Sequence, residues 1–196
     1  MKPLFTCLLL CLFVIAAPPF SGADPGTDGV GIYFDLDGQV NCLDVPPFTP
    51  VNCYVIATNV SSPGGVLGYA FTIATAGPFL LGNYTQPCIN IIGWPDIACG
   101  LSAPYPWAPT IVLISVSFMV MSPEPVYLSV LPYSFGSVIP GFPVYEDGDA
   151  PGTYRALFPA AGQGPGGEWL PVACVNGDCP VPTESETWGG LKALYR

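Results

Sequence analysis

The sequence contains no histidine. That excludes Ser-His-Asp and Cys-His nucleophilic sites and removes the side chain best suited to general-base work near neutral pH. It also removes imidazole from any zinc site, and no CxxC spacing stands in for it. Bases are nearly missing: Lys and Arg number four against fourteen Asp and Glu, a formal net charge of −10. So acidic a chain lacks the cationic footprint that nucleic-acid phosphates require, and anionic membrane surfaces repel it. Beyond the N-terminus no apolar run reaches the ~20 residues of a membrane span without Pro, Gly or polar breaks. Helix-period patterning is absent until the last nine residues.

The N-terminus reads as an export signal. Lys2 supplies a short positive region, Leu4 to Ala17 an apolar core, and Ser21-Gly-Ala23 the small residues a signal peptidase reads, with cleavage before Asp24. Pro18-Pro19 stops the apolar run short of a membrane anchor. Once this leader is removed, Arg155, Lys192 and Arg196 are the remaining bases. The expected organisation is a signal peptide over 1–23, one β-sandwich domain over 24–179, and a linker with a short amphipathic tail over 180–196. The mature protein is expected to be secreted or held at the cell surface, with the periplasm as an alternative, and to have no membrane span.

Glycine (23) and proline (25) are abundant and punctuate many short β-patterned runs, which signals tight turns in a β protein. The pivotal run is Thr110 to Met121, with Val112, Ile114, Val116, Phe118 and Val120 on one side and Ser115 and Ser117 on the other. After Ser122-Pro-Glu-Pro125, Val126, Leu128 and Val130 repeat the alternation, predicting a hairpin partner. Further strands are expected over 30–34, 51–59, 66–74 and 79–81. Shorter ones are expected over 89–92, 97–101, 137–139, 144–145, 153–158 and 170–175. Grouped, these make about eight or nine strands in a two-sheet antiparallel sandwich.

Six cysteines follow the leader, and an even count in an exported chain reads as disulfides: Cys42, Cys53, Cys88, Cys99, Cys174 and Cys179. Spacing favours neighbours, predicting Cys42–Cys53, Cys88–Cys99 and Cys174–Cys179. The last would close across Asn176-Gly177, a type I′ hairpin signal.

Strand order and turn placement carry a resemblance. The run Gly64-Gly-Val-Leu-Gly-Tyr-Ala-Phe-Thr-Ile73, then a loop region, then Val116-Ser-Phe-Met-Val120 answered by Val126-Tyr-Leu-Ser-Val130, resembles the Ig-like jelly-roll sandwich of cohesin-like modules and small exported bacterial proteins of that architecture. The likeness spans about Val30 to Cys179. Thr187 to Arg196 also resembles tails that end some such exported proteins. The resemblance implies no catalytic residue and no reaction.

Four sets of residues are candidates for function. Asp35, Asp37, Glu146, Asp147 and Asp149 are the dense acids. A glycosidase would need two of them across a cleft, but acids beside Gly are ordinarily turn residues, so no catalytic residue is assigned. The same acids place oxygens at alternate positions beside Gly, a calcium-type spacing that lacks the full EF-hand loop; calcium is the sole cofactor they raise. Trp94, Tyr105 and Trp107 lie in Pro-rich stretches and would form a sugar- or partner-stacking platform if exposed together. Trp188, Leu191 and Leu194 or Tyr195 would line one face of a last short helix capped by Thr187, a segment that must dock on its own domain or be recognised elsewhere. Asn59-Val-Ser61 and Asn83-Tyr-Thr85 match the glycosylation pattern but carry little weight. The expectation is a non-catalytic structural, adhesion or surface-assembly module with a protein or cell-surface glycan partner; the alternative is a carbohydrate-binding module using the loop aromatics.

Overall fold

A computed structural model describes residues 26–179. The signal peptide and the tail with Trp188, Leu191, Leu194 and Tyr195 lie outside the described residues. Thirteen strands are found, against the eight or nine expected: β1 (Gly29–Tyr33), β2 (Cys42–Leu43), β3 (Pro50–Thr58), β4 (Val66–Ala76), β5 (Phe79–Thr85), β6 (Asn90–Ile92), β7 (Asp96–Tyr105), β8 (Thr110–Val120), β9 (Val126–Leu131), β10 (Val144–Asp147), β11 (Tyr154–Ala156), β12 (Phe158–Pro159) and β13 (Ala173–Val175). Short strands β6, β10, β11 and β13 fall on expected segments; β2, a two-residue piece at a sheet edge, has no expected counterpart, and the segment expected over 153–158 divides into β11 and β12. The expected strand at 137–139 does not form. No helix of the described residues is long and apolar enough to cross a membrane.

The strands make two stacked sheets. One runs β12-β1-β3-β8-β5; the other runs β11-β10-β4-β9-β13-β2, with β7 also on β4 and β6 on β7. Pairing is antiparallel except at β1 with β12 and β13 with β2, which are parallel. Between the sheets lie Val30, Ile32, Val55, Phe71, Ile73, Leu113, Val116, Phe118, Val126, Leu128 and Val130, all nearly inaccessible. Each such side chain contributes about 1.5–3 kcal/mol by leaving water.

The pivotal run departs from expectation in two ways. First, β8 and β9 are not a hairpin. Both flanks of β8 are taken by β3 and β5, so the chain crosses at Ser122–Pro125 and β9 joins the other sheet between β4 and β13. The two prolines, unable to donate to a ladder, suit a crossing as well as a turn. Second, Val112 does not share a face with Val116. Val55 pairs with Ile114 and Ile56 with Val112, leaving Leu113 as an extra residue, a β-bulge that reverses the alternation. Leu113 is buried, and its carbonyl accepts a 2.7 Å hydrogen bond from the Tyr69 hydroxyl. Burial raises the Tyr69 pKa.

The disulfides correct two of the three expected pairs. Cys88–Cys99 forms (Cα–Cα 5.2 Å), but Cys42 pairs with Cys179 (5.6 Å). Cys53 and Cys174 are free thiols, both buried. Cys53 sits in mid-β3 facing the intersheet core, while Cys42 lies on the edge strand of the opposite sheet. The Cys174 hairpin fails because β13 already has a neighbour on each side, β9 and β2. Asn176 is left-handed (φ 57°) but Gly177 is not, so no type I′ turn closes. Instead Asn176 is sewn to the segment around β2, its N–H to the Leu43 carbonyl and its Oδ1 receiving the Val45 N–H.

Candidate functional site

Three of the dense acids, Asp35, Glu146 and Asp147, accept from local donors. Asp35 closes a turn by accepting the Gln39 and Val40 N–H groups. Asp37 stands in the same turn, its carbonyl taking the Gln39 amide. Asp147, 3 % exposed, accepts from Ser62 Oγ (2.6 Å), Arg155 Nε (2.8 Å), Arg155 Nη2 (2.7 Å) and the Asp149 N–H (2.9 Å). The Ser62 hydrogen bond first, then the Asp149 N–H and Arg155, hold its carboxyl down to about 2. Neighbouring Tyr145 donates to Asp28 Oδ1 (2.7 Å) and is pushed up to about 12, chiefly by burial. This network fastens β10 and β11 to the β3–β4 turn. Among the described residues no group of three or more His, Cys, Asp or Glu is placed to hold a metal ion.

The aromatic platform is not assembled. Trp94 precedes β7 and packs on the core beside Tyr84, ring centroids 6.5 Å apart. Trp107 follows the same strand, half exposed, its indole N–H donating to the Val60 carbonyl. The two tryptophans lie beyond opposite ends of β7, whose terminal residues Asp96 and Tyr105 pair with Thr72 and Val66 of β4, six residues or about 20 Å apart. Tyr105 is half-buried against the core near Trp107.

A cleft that the sequence reading did not single out lies on the outer face of the larger sheet. Side chains of β4 alternate, Tyr69, Phe71 and Ile73 entering the core and Gly68 and Ala70 facing out. On β7, Ile97, Cys99 and Leu101 enter the core and Ala98 and Gly100 face out. Register places Gly68 opposite Gly100 and Ala70 opposite Ala98, with Glu146 and Val144 of β10 continuing the two rows. Tyr154 of β11, opposite Glu146, ends one row; Ile92 of β6, opposite Ala98, ends the other. The floor is therefore almost bare of side chains, between walls of Tyr154 and Glu146 on one side and Ile92 on the other.

The third wall is the segment Tyr133 to Val138. It is pinned by Ser134, whose N–H reaches Thr72 Oγ1 (3.1 Å) and whose hydroxyl donates to Asp96. Thr72 Oγ1 also donates to Asp96 (2.6 Å). These hydrogen bonds, Ser134 foremost, lower the Asp96 pKa. The cleft is open to solvent and its volume is about 480 Å³, within the range of clefts that hold small ligands or side chains. A Cβ built on Gly100 meets nothing within 4 Å, so neither packing nor a left-handed φ demands glycine there. The Tyr133 hydroxyl is buried yet has no hydrogen-bond partner among the described residues. Such a group costs about 1–3 kcal/mol until something satisfies it. Glu146 Oε1 takes the Gly152 N–H, while Oε2 stands over Gly68. The cleft thus offers an apolar floor and one carboxylate.

The strand arrangement is similar to that of cohesin modules. The sixth cohesin of Acetivibrio cellulolyticus scaffoldin B, solved in complex with a Cel5 dockerin mutant, aligns over 76 % of this chain and 98 % of its own at 13 % identity, TM-score 0.49. A type II cohesin domain from the A. cellulolyticus cellulosome aligns over 76 % and 95 % at 14 %, TM-score 0.48. The OlpA cohesin of Clostridium thermocellum, in complex with a dockerin, aligns over 68 % and 94 % at 11 %, TM-score 0.48. At these identities the likeness is one of fold. No protein-family model and no curated protein matches the sequence.

Proposed function

We propose that the protein is an exported, non-catalytic interaction module that binds a protein segment in the outer-face cleft of its larger sheet. The observation that carries this reading is the bare floor of Gly68, Ala70, Ala98 and Gly100 between the walls of Tyr154, Glu146, Ile92 and the Tyr133–Val138 segment. A glycine kept in mid-strand costs roughly 0.5–1 kcal/mol relative to alanine. At Gly100 nothing in the fold repays that cost, whereas an occupant of the cleft would. Export agrees with the leader and with two disulfides in so short a chain.

The test uses full-length chain on an array of short peptides varied in apolar and charged content, beside Gly100→Phe, whose ring fills the cleft. The wild type is expected to capture peptides with large apolar residues and a cation, and Gly100→Phe to lose about tenfold in affinity. Capture of no peptide, or equal capture by the variant, contradicts the reading. A glycan array run alongside addresses the carbohydrate alternative; glycan binding that survives Gly100→Phe but falls with Trp107→Ala would favour it.

A further inference from the structure

We infer that the occupant of this cleft is the chain's own C-terminal segment, Thr187 to Arg196, docked in cis; the inference rests on the cleft being a peptide-binding site. Charge is the first argument. Among the described residues Arg155 is the only base, and it is bound to Asp147. Lys192 and Arg196 fall in the last five residues, and the cleft wall carries Glu146 with Oε2 clear of the Gly152 N–H. Apolar content is the second. Trp188 and Leu191 lie within four positions of Lys192, so they can cover the floor while the amine meets the carboxylate.

Reach is the third argument. The path starts at Cys179, bonded to Cys42 of β2, and crosses three strand spacings, about 14 Å, to Ala76 of β4. It then runs back from Ala76 to the Gly68–Ala70 row, about 20–26 Å at 3.3 Å per residue. Nine residues past Cys179 extend up to about 30 Å, bringing Trp188 to the cleft edge. Lys192 follows with chain to spare.

Lys192 is the only lysine after Lys2, which makes the test specific. Full-length protein, leader removed, is treated with a zero-length carbodiimide, and the amide joining Lys192 to a carboxylate is located by mass spectrometry across a dilution series. The expected result is a dominant Lys192–Glu146 link whose yield does not change with protein concentration. It should vanish in Glu146→Gln and fall about tenfold in Gly100→Phe. Links mainly to Asp178, Glu184 or Glu186, or no link, overturn the inference; a yield that rises with concentration means a second copy supplies the segment and overturns docking in cis. A docked tail competes with added peptide, so capture should strengthen about tenfold when Trp188 and Leu191 are both changed to alanine; if the link is absent and capture depends on Gly100 but not on these two residues, the tail alone is refuted and the cleft stands. If both are absent, both fall.

Discussion

Gly68 and Gly100 face each other across the β4–β7 ladder, yet they are glycine for different reasons. A Cβ on Gly68 would stand 2.8 Å from the Cys99 carbonyl oxygen and 3.2 Å from Glu146 Oε2, whereas one on Gly100 would meet nothing. Gly68→Ala should destabilise by about 1–3 kcal/mol through forced backbone shifts. Gly100→Ala should be neutral or stabilise by up to about 1 kcal/mol. Urea denaturation of the two variants checks this; equal losses would show that the cleft floor is closed at both positions.

Asp147 makes stability pH-dependent. Its carboxyl is held at about 2 when folded, below its ordinary value near 3.8, so it binds protons more readily when unfolded. Its contribution is therefore fully present above about pH 4 and is lost as pH falls toward 2. The Asp96 carboxyl, lowered by Ser134 and Thr72, acts with the same sign. Asp147→Asn should cost about 2–3 kcal/mol at pH 7, since Arg155 and Ser62 lose a charged acceptor, and should flatten the stability profile between pH 4 and 2. An unchanged acid transition would contradict the placement of this ion pair.

The two disulfides should differ in weight. Cys42–Cys179 spans 137 positions and Cys88–Cys99 spans 11. In the chain-entropy account the long closure contributes about 4–5 kcal/mol and the short one about 3 kcal/mol. Cys179→Ser should therefore lower Tm more than the Cys88→Ser, Cys99→Ser double variant. Cys53, its thiol pushed up to about 12 by burial, and Cys174, also raised by burial, should resist alkylation until the protein is denatured. Peptide mapping that finds Cys42 joined to Cys53 would overturn this arrangement.

Trp94 and Trp107 should behave as unrelated residues. Trp94 packs on the core, so Trp94→Ala should cost about 3 kcal/mol or more. Trp107, half exposed and held through one indole hydrogen bond, should cost about 1 kcal/mol. Comparable losses in both, with a shared loss of ligand, would restore the stacking platform.

The pattern of what could be read from the sequence has a physical basis. The long strands announced themselves because Tyr69, Phe71 and Ile73, or Val116, Phe118 and Val120, alternate about a buried face. Where alternation broke, reading broke with it: the bulge at Leu113 put Val112 on the wrong side, and strand pattern alone could not say that β9 joins the opposite sheet. Cysteine spacing was right for Cys88–Cys99, where Cys88 lies just before β6, the neighbour that pairs with β7 around Cys99. It failed for Cys42, whose partner arrives through a parallel pairing of segments 132 positions apart. The cleft left almost no trace, because its floor is defined by missing side chains. Gly68, Ala70, Ala98 and Gly100 become a site only once β4 and β7 are in register. The acids were conspicuous in sequence, yet the structure turns most of them onto neighbouring donors.

The most direct test of the cleft as the binding surface is photo-crosslinking of the full-length chain. Benzoylphenylalanine is placed at Ala98 on the cleft floor or, as a control, at Leu80 on the exposed β5 edge of the other sheet. The account predicts that the Ala98 variant, on irradiation, forms an adduct with a peptide segment and that the Leu80 variant does not. No adduct at position 98, or equal yields at 98 and 80, would contradict it.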